Sequence, residues 1–99
     1  MIQHIVAWNY AEGFTASENA ANAQKVKAEL EALKAVIGGI VELTVHINLL
    51  PSGNRDIVLF STFDSEESLQ AYQVHPEHKR VGAFVGSVTQ NRACVDYAL

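Results

Sequence analysis

The sequence has little cysteine and a shortage of positive charge, and each shortage excludes a class of protein. Cys94 is the only cysteine, so no disulfide can form within the chain. A chain without disulfides is typical of a reducing compartment, and we predict a cytoplasmic location. Seven lysines and arginines stand against eleven aspartates and glutamates, for a formal net charge of -4. This balance argues against a nucleic-acid partner and against docking on anionic lipid.

Long hydrophobic runs are also absent. The run Ile5-Val6-Ala7-Trp8 is too short for a signal-peptide core and far too short to cross a bilayer, so we predict no membrane partner. No repeat, low-complexity tract or linker interrupts the 99 residues, and we expect one domain over residues 1–99. Gly38-Gly39 lacks the G-x-G-x-x-G context of a nucleotide site, and we predict no cofactor.

The first two elements are predicted by alternation and by helical spacing. Residues Ile2 to Tyr10 form a strand that places His4, Val6 and Trp8 on one face. Thr15 and Glu18 form a capping box that opens a long helix. Gly38-Gly39 ends it, since glycine takes the left-handed cap at no steric cost. Its apolar residues are three or four apart and form one stripe: Ala23, Val26, Leu30, Leu33 and Ile37.

The remaining elements follow the same signals. Residues 40–50 alternate as a second strand, and a turn at 51–54 leads into a third strand from Asp56 to Phe63. Capping residues at 64–67 open a second helix through Val74. A helix that starts at Pro76 continues it to about Val85, and residues 88–98 make the fourth strand.

This order predicts an α+β fold, a ferredoxin-like protomer (β-α-β-β-α-β) with a four-stranded antiparallel sheet. Two helices can cover only one face of such a sheet, whereas several of these strands carry apolar side chains on both faces. A second copy of the chain is the simplest cover for the other face. We therefore predict a homodimer in which two sheets pack face to face.

The most informative segment is Ala71-Tyr72-Gln73-Val74-His75-Pro76-Glu77-His78. Pro76 has no N–H, and its ring clashes with the carbonyl of Tyr72 four residues back. Residue 75 is pushed out of the helical region by the proline that follows it. One helix therefore ends near Val74 and another begins at Pro76, which leaves polar side chains free to face a cavity.

Four segments together resemble the stress-responsive dimeric α/β-barrel (Dabb) family. They are Gln3-His4-Ile5-Val6, the Asp56–Phe63 strand running into Asp64-Ser65-Glu66-Glu67, the proline segment through Lys79, and Val95-Asp96-Tyr97. The Y-x-x-H-P-x-H string is the most specific of them. The resemblance implies a ferredoxin-like protomer that forms a dimeric α/β barrel, in agreement with the pattern of elements.

The resemblance also bears on function. Many bacterial members have no assigned activity, and plant members include oligomeric stress proteins. One plant member is a cofactor-free enzyme that closes a polyketide chain by an aldol reaction. Its catalytic pair is the tyrosine and the last histidine of the string, which here are Tyr72 and His78. Its pocket-lining histidine on the first strand corresponds to His4.

His78 and Tyr72 are the candidate catalytic residues. His78, Val81 and Val85 share one face of their helix, and an imidazole on an inward face suits a general base. The Tyr72 hydroxyl suits an oxyanion donor. The alternative for each is a core residue that serves packing, with its polar atom satisfied by a hydrogen bond or placed at the rim.

Four further residues are candidates for contact with a ligand: His4, Trp8, His75 and Leu59. His4 lines the same cavity as His78 if its face of the first strand looks toward the helices, and lies in an interface if it looks toward another sheet. His75 also suits a cap at the helix break. The spacing His75-x-x-His78 looks like partial metal ligation, but no third ligand has a definite spacing, and we predict no metal.

The expected function is a stress-responsive homodimer that binds a small, largely apolar or aromatic ligand between the sheet and the broken helix. One alternative is a cofactor-independent, cyclase-like enzyme with His78 as base and Tyr72 as oxyanion donor. A second alternative is a structural or assembly protein whose histidines only pack.

Overall fold

The computed structural model describes residues 1–99 and contains four strands, three α-helices and one short 3-10 helix. In chain order these are β1 (Ile2–Tyr10), α1 (Ala16–Ala32), the 3-10 helix (Leu33–Ala35), β2 (Ile40–His46), β3 (Ile57–Phe63), α2 (Glu66–Val74), α3 (Pro76–Val88) and β4 (Thr89–Ala98). The sheet order is β2-β3-β1-β4, and every neighbouring pair is antiparallel. The predicted ferredoxin-like protomer is confirmed.

Three predicted boundaries are wrong. The second strand ends at His46 rather than at residue 50, because its pairing with β3 stops at His46 and Val58. The α-helical part of the first helix ends at Ala32 and tightens into the 3-10 helix before the glycine pair. The third helix continues to Val88, since the inward spacing of its valines extends through that residue.

The core lies between one face of the sheet and the helices. All five residues of the predicted α1 stripe are buried, and they pack in one cluster with inward side chains such as Val45, Leu59 and Phe63. Burying one such side chain stabilises the fold by roughly 1.5–3 kcal/mol. The apolar stripe of α1 therefore packs against the inner face of the sheet.

No helix covers the opposite face of the sheet. Ile5 pairs in register with Phe60 on one side and with Val95 on the other, so the three side chains lie abreast there. Val95 and Tyr97 remain 57% and 44% exposed. The prediction that the helices cover a single face is confirmed.

None of the helices combines the length and apolar character that crossing a bilayer requires.

Candidate functional site

A cavity of about 160 Å³ lies between the helix-covered face of the sheet and the three helices. Five of the candidate residues line it: His4, Trp8, Leu59, Tyr72 and His78. The face of β1 that carries His4 therefore looks toward the helices, which decides between the two positions left open by the sequence. An apolar cavity of roughly 150 Å³ accommodates benzene, so this one is large enough for a single aromatic ring.

The helix break beside the cavity forms as the sequence predicts. His75 has extended backbone angles, φ -64 and ψ 137, and Pro76 follows as the first residue of α3. The Nδ1 atom of His75 accepts a hydrogen bond from the backbone N–H of Glu77 at 3.1 Å, which satisfies one free donor of the new helix. His75 does not line the cavity. Its ring caps α3 instead, and contact between His75 and a ligand stays a prediction.

The break brings Tyr72 and His78 together. Six residues of a continuous helix would rotate the second side chain by about 600°, which places it on a different face. Here the two rings are in contact, with centroids 4.3 Å apart and planes tilted by 55°. Tyr72 also meets His4 edge-on and packs against Phe63 in a tilted arrangement. A row of three polar rings therefore lines one part of the cavity wall.

Two polar atoms of this row lack a partner within the protein. The Tyr72 hydroxyl and His78 Nδ1 are both buried without a hydrogen bond. Burial raises the pKa of Tyr72 to about 12, so the phenol keeps its proton. Burial lowers the pKa of His78. The backbone carbonyl of Gln73 opposes this effect and raises the pKa, whereas the nearby His4, Arg92 and His75 lower it further. At neutral pH the site therefore offers a neutral imidazole beside a phenol.

His4 is held in place from the edge of the sheet. Its Nδ1 lies 2.5 Å from the carboxylate of Asp96, which is the register partner of His4 on β4. The Nδ1–H group donates to this carboxylate, which fixes the orientation of the ring and its tautomer. His4 is 3% exposed, whereas Asp96 lies at the surface. His4 therefore lies at the cavity wall, and the carboxylate that orients it lies at the protein surface.

Cys94 completes a group of three side chains that each offer a metal-ligand atom. The Cys94 sulfur lies 3.8 Å from His4 Nδ1 and 3.5 Å from the Asp96 oxygen, and the three atoms lie within 4.8 Å of one another. Nitrogen, sulfur and oxygen together suit zinc. In this structure the three groups bond to one another, and burial and Asp96 raise the pKa of the Cys94 thiol. Neither His75 nor His78 belongs to this group.

Two glycines leave room for the cavity. Gly82 and Gly86 lie one and two turns beyond His78 on α3, and both line the cavity. A Cβ built on either residue meets no atom within 4 Å. Glycine inside a helix costs roughly 0.5–1 kcal/mol relative to alanine. The helix thus contains two destabilising residues at the positions where it borders empty space.

Six further residues line the cavity and were not predicted from the sequence as site residues: Val6, Leu30, Gly82, Val85, Gly86 and Arg92. The two glycines could have been found from the sequence. They follow His78 at intervals of four, so they share its helix face, and glycine inside a helix is destabilising unless it has a packing or functional reason. Arg92 carried none, since its direction depends on an irregularity in the pairing of β4. It is the only Lys, Arg, Asp or Glu residue on the cavity wall.

Fold and site together define a class of protein, a ferredoxin-like domain with a ring-sized cavity beneath its sheet. The family model described as the Stress responsive A/B Barrel Domain matches residues 2–99. The chain therefore belongs to this family, and the resemblance found in the sequence is confirmed. No curated protein matches the chain in sequence.

Solved structures agree with this assignment. A protein from Bacteroides fragilis, described as dimeric, ferredoxin-like and of unknown function, is 32% identical with a TM-score of 0.91, over 99% of this chain and 95% of that chain. A dimeric ferredoxin-like protein of unknown function from Thermobifida fusca is 27% identical with a TM-score of 0.83, over 99% and 90% of the two chains. Hydroxynitrile lyase from Passiflora edulis shares the fold, with 14% identity, a TM-score of 0.81 and coverage of 99% and 92%.

Proposed function

We propose that this protein binds a small, largely apolar organic ligand, with one ring or its equivalent in size, in the cavity between the sheet and the broken helix. One observation carries the proposal: the Tyr72 hydroxyl and His78 Nδ1 are buried at the cavity wall without a protein partner. An unsatisfied buried polar group costs roughly 1–3 kcal/mol. A ligand oxygen that accepts from Tyr72 and donates to or accepts from His78 would remove that cost.

The glycines of α3 support this proposal independently. Alanine at position 82 or 86 would make a better helix and would meet no atom of the protein. Packing and helix stability therefore give no reason for glycine at either position. Space for a ligand does give a reason, since each added methyl would extend the wall and reduce the room for a ligand. A purely structural role for the site leaves both the glycines and the unpaired polar atoms without a purpose.

A second candidate function, enzymatic catalysis without a cofactor, is favoured by the protonation states. A neutral His78 would take a proton from the carbon next to a ligand carbonyl, and the electron pair of that C–H bond would move onto the carbonyl oxygen. Tyr72, still protonated, would donate a hydrogen bond to the resulting enolate oxygen. The enolate carbon would then bond to a second carbonyl carbon of the same molecule, and His78 would return the proton to the new alkoxide. This is an aldol closure of a polyketide-like or aromatic precursor.

The protomer is proposed to work as a homodimer through its uncovered sheet face. Ile5, Phe60 and Val95 form an apolar row on that face, and no helix protects it. The Bacteroides fragilis and Thermobifida fusca relatives are described as dimeric, which supports the same assembly here. An isologous dimer would bury this face against its own copy. The cytoplasmic location rests on the lone cysteine and stays a prediction.

The test of the binding function is a thermal-shift screen of phenols, aromatic aldehydes and ketones, aromatic acids and short polyketide mimics. Wild type, His78→Ala and the cap variant His75→Ala are compared. A compound that binds the native state raises the midpoint of unfolding. We expect at least one compound to stabilise wild type and His75→Ala but not His78→Ala. The absence of any shift in all three proteins would refute the proposed function, and turnover of a stabilising compound would decide for the enzyme.

A further inference from the structure

The cavity has one strongly charged residue, and that residue is unpaired. Arg92 lines the wall, and no carboxylate of the protein forms an ion pair with it. Of the other two arginines, Arg80 binds both Glu77 and Glu29, and Arg55 donates to two backbone carbonyls. The Arg92 side chain forms no bond of either kind. In a chain with a net charge of -4, an arginine without an acidic partner at a cavity mouth leaves its guanidinium free for a ligand.

The backbone turns Arg92 toward the cavity by a β-bulge. Ala7 pairs with Ala93, but Asn9 pairs with Gln90, so one residue of β1 faces two residues of β4. Asn91 takes the extra place with φ 56, a left-handed conformation that few residues other than glycine and asparagine adopt readily.

The bulge changes which side chains of β4 point inward. Thr89 is buried and binds the Val85 carbonyl, so it lies on the helix-covered face. Strict alternation from Thr89 would direct Arg92 to the opposite face. Because of the extra residue, Arg92 instead points inward together with Cys94 and Asp96. Bulges that redirect a side chain beside a functional site are a recurrent feature of sheets.

The acidic group nearest along the strand does not neutralise Arg92. Asp96 is four residues further along β4, about 13 Å at 3.3 Å per residue. It is already bonded to His4. The cavity wall also includes Tyr72, a residue with 0% exposure whose hydroxyl has no partner. The cavity wall therefore combines one cationic side chain, several apolar side chains and an unpartnered hydroxyl.

We propose that the ligand of this cavity is a small organic acid whose carboxylate pairs with Arg92 while its ring packs against the apolar side chains of the wall. The planar guanidinium matches a carboxylate with two parallel hydrogen bonds. A carbonyl or hydroxyl on the ring would reach Tyr72 and His78. This inference names the ligand class of the proposed binding function and rests on it.

The experiment is a titration of the isotope-labelled protein, followed by amide chemical shifts, with benzoate, benzamide and phenol at neutral pH. Benzamide has nearly the shape of benzoate but no charge. We expect wild type to bind benzoate about three- to tenfold more tightly than benzamide, since hydrogen bonds to charged groups exceed neutral ones by this order. Arg92→Gln should bind both compounds equally, and Arg92→Lys should keep part of the preference.

The matched control is Arg80→Gln, which removes one positive charge from the surface of α3 without touching the cavity. It should keep the full preference for benzoate. Equal binding of benzoate and benzamide by wild type would overturn the acid inference and leave the binding function intact. An unchanged preference in Arg92→Gln would overturn it as well. No binding of any of the three compounds would overturn the inference, whereas the binding function fails only if the wider thermal-shift screen also finds no ligand.

Discussion

Tyr72 and His78 touch across a helix break, with ring centroids 4.3 Å apart. The contact depends on Pro76, which ends α2 and restarts the helix in a new direction. A continuous helix would hold these two residues on different faces. The break therefore has a chemical consequence: it places a phenol that stays protonated beside an imidazole that stays neutral. Five predictions concern this pair and the surfaces around it.

Tyr72→Phe should leave stability unchanged or raise it slightly, by up to about 1 kcal/mol, because the buried hydroxyl that it removes has no partner. The same change should weaken ligand binding or abolish turnover. Urea denaturation measures the first effect, and calorimetric titration of a stabilising compound measures the second. If Tyr72 served packing through a hydrogen bond, stability would fall by roughly 1–3 kcal/mol instead.

His78 should make the protein sensitive to acid. Its pKa is lowered in the folded state relative to about 6.5 in an unfolded chain. Protonation therefore favours unfolding: stability is complete above the unfolded pKa and falls as pH drops through the lowered folded pKa. His78→Gln has no imidazole to protonate and should lose less stability between pH 7 and pH 5. Urea unfolding at several pH values measures the difference, and a parallel decline in both proteins would contradict it.

If the protein is an enzyme, the same pKa shift predicts its pH profile. The value of kcat/KM should rise with pH through the lowered pKa of His78 and be level at neutrality, because the base is then free of its proton. No decline is expected until Tyr72 ionises near its pKa of about 12, beyond the stable range of most proteins. A profile that falls between pH 7 and pH 9 would show that another group acts in the reaction.

Gly82→Ala and Gly86→Ala should each stabilise the fold by roughly 0.5–1 kcal/mol while weakening ligand binding. Both residues are helical and line the cavity, and the added methyl meets no protein atom but reduces the room for a ligand. Ser87→Ala on the exposed side of α3 is the control, since it alters the helix without reaching the cavity. Denaturation and titration of the three variants would separate the two effects. Unchanged binding in both glycine variants would remove the support that the glycines give to the cavity.

Val95→Asp should convert a dimer into a monomer, because a charge would stand in the apolar row of the uncovered sheet face. Val36→Asp provides the control, since Val36 is equally exposed, at 58% against 57%, but lies after the 3-10 helix and off the sheet. Light scattering coupled to size-exclusion chromatography gives the mass of each. A wild-type monomer at micromolar concentration would refute the proposed dimer.

Local signals in the sequence predicted much of this molecule. The capping box at Thr15 and Glu18, the stripe of α1 and the break at Pro76 all lie where the sequence places them. These features depend on neighbours within a few residues, so the chain encodes them locally. The same reasoning located Tyr72, His78, His4, Trp8 and Leu59, all of which line the cavity.

Other features depend on how the elements meet. Alternation along β1 groups His4 with Trp8, but only packing of the helices decides that their face is internal. The contact between His4 and Asp96 joins residues 92 positions apart. The direction of Arg92 follows from a bulge that changes the alternation of β4, and no propensity of the residues announces it. Sequence determined the helices, the strands and the helix break between Tyr72 and His78. Tertiary structure decided the charge and shape of the cavity, because both arise from pairing between distant strands.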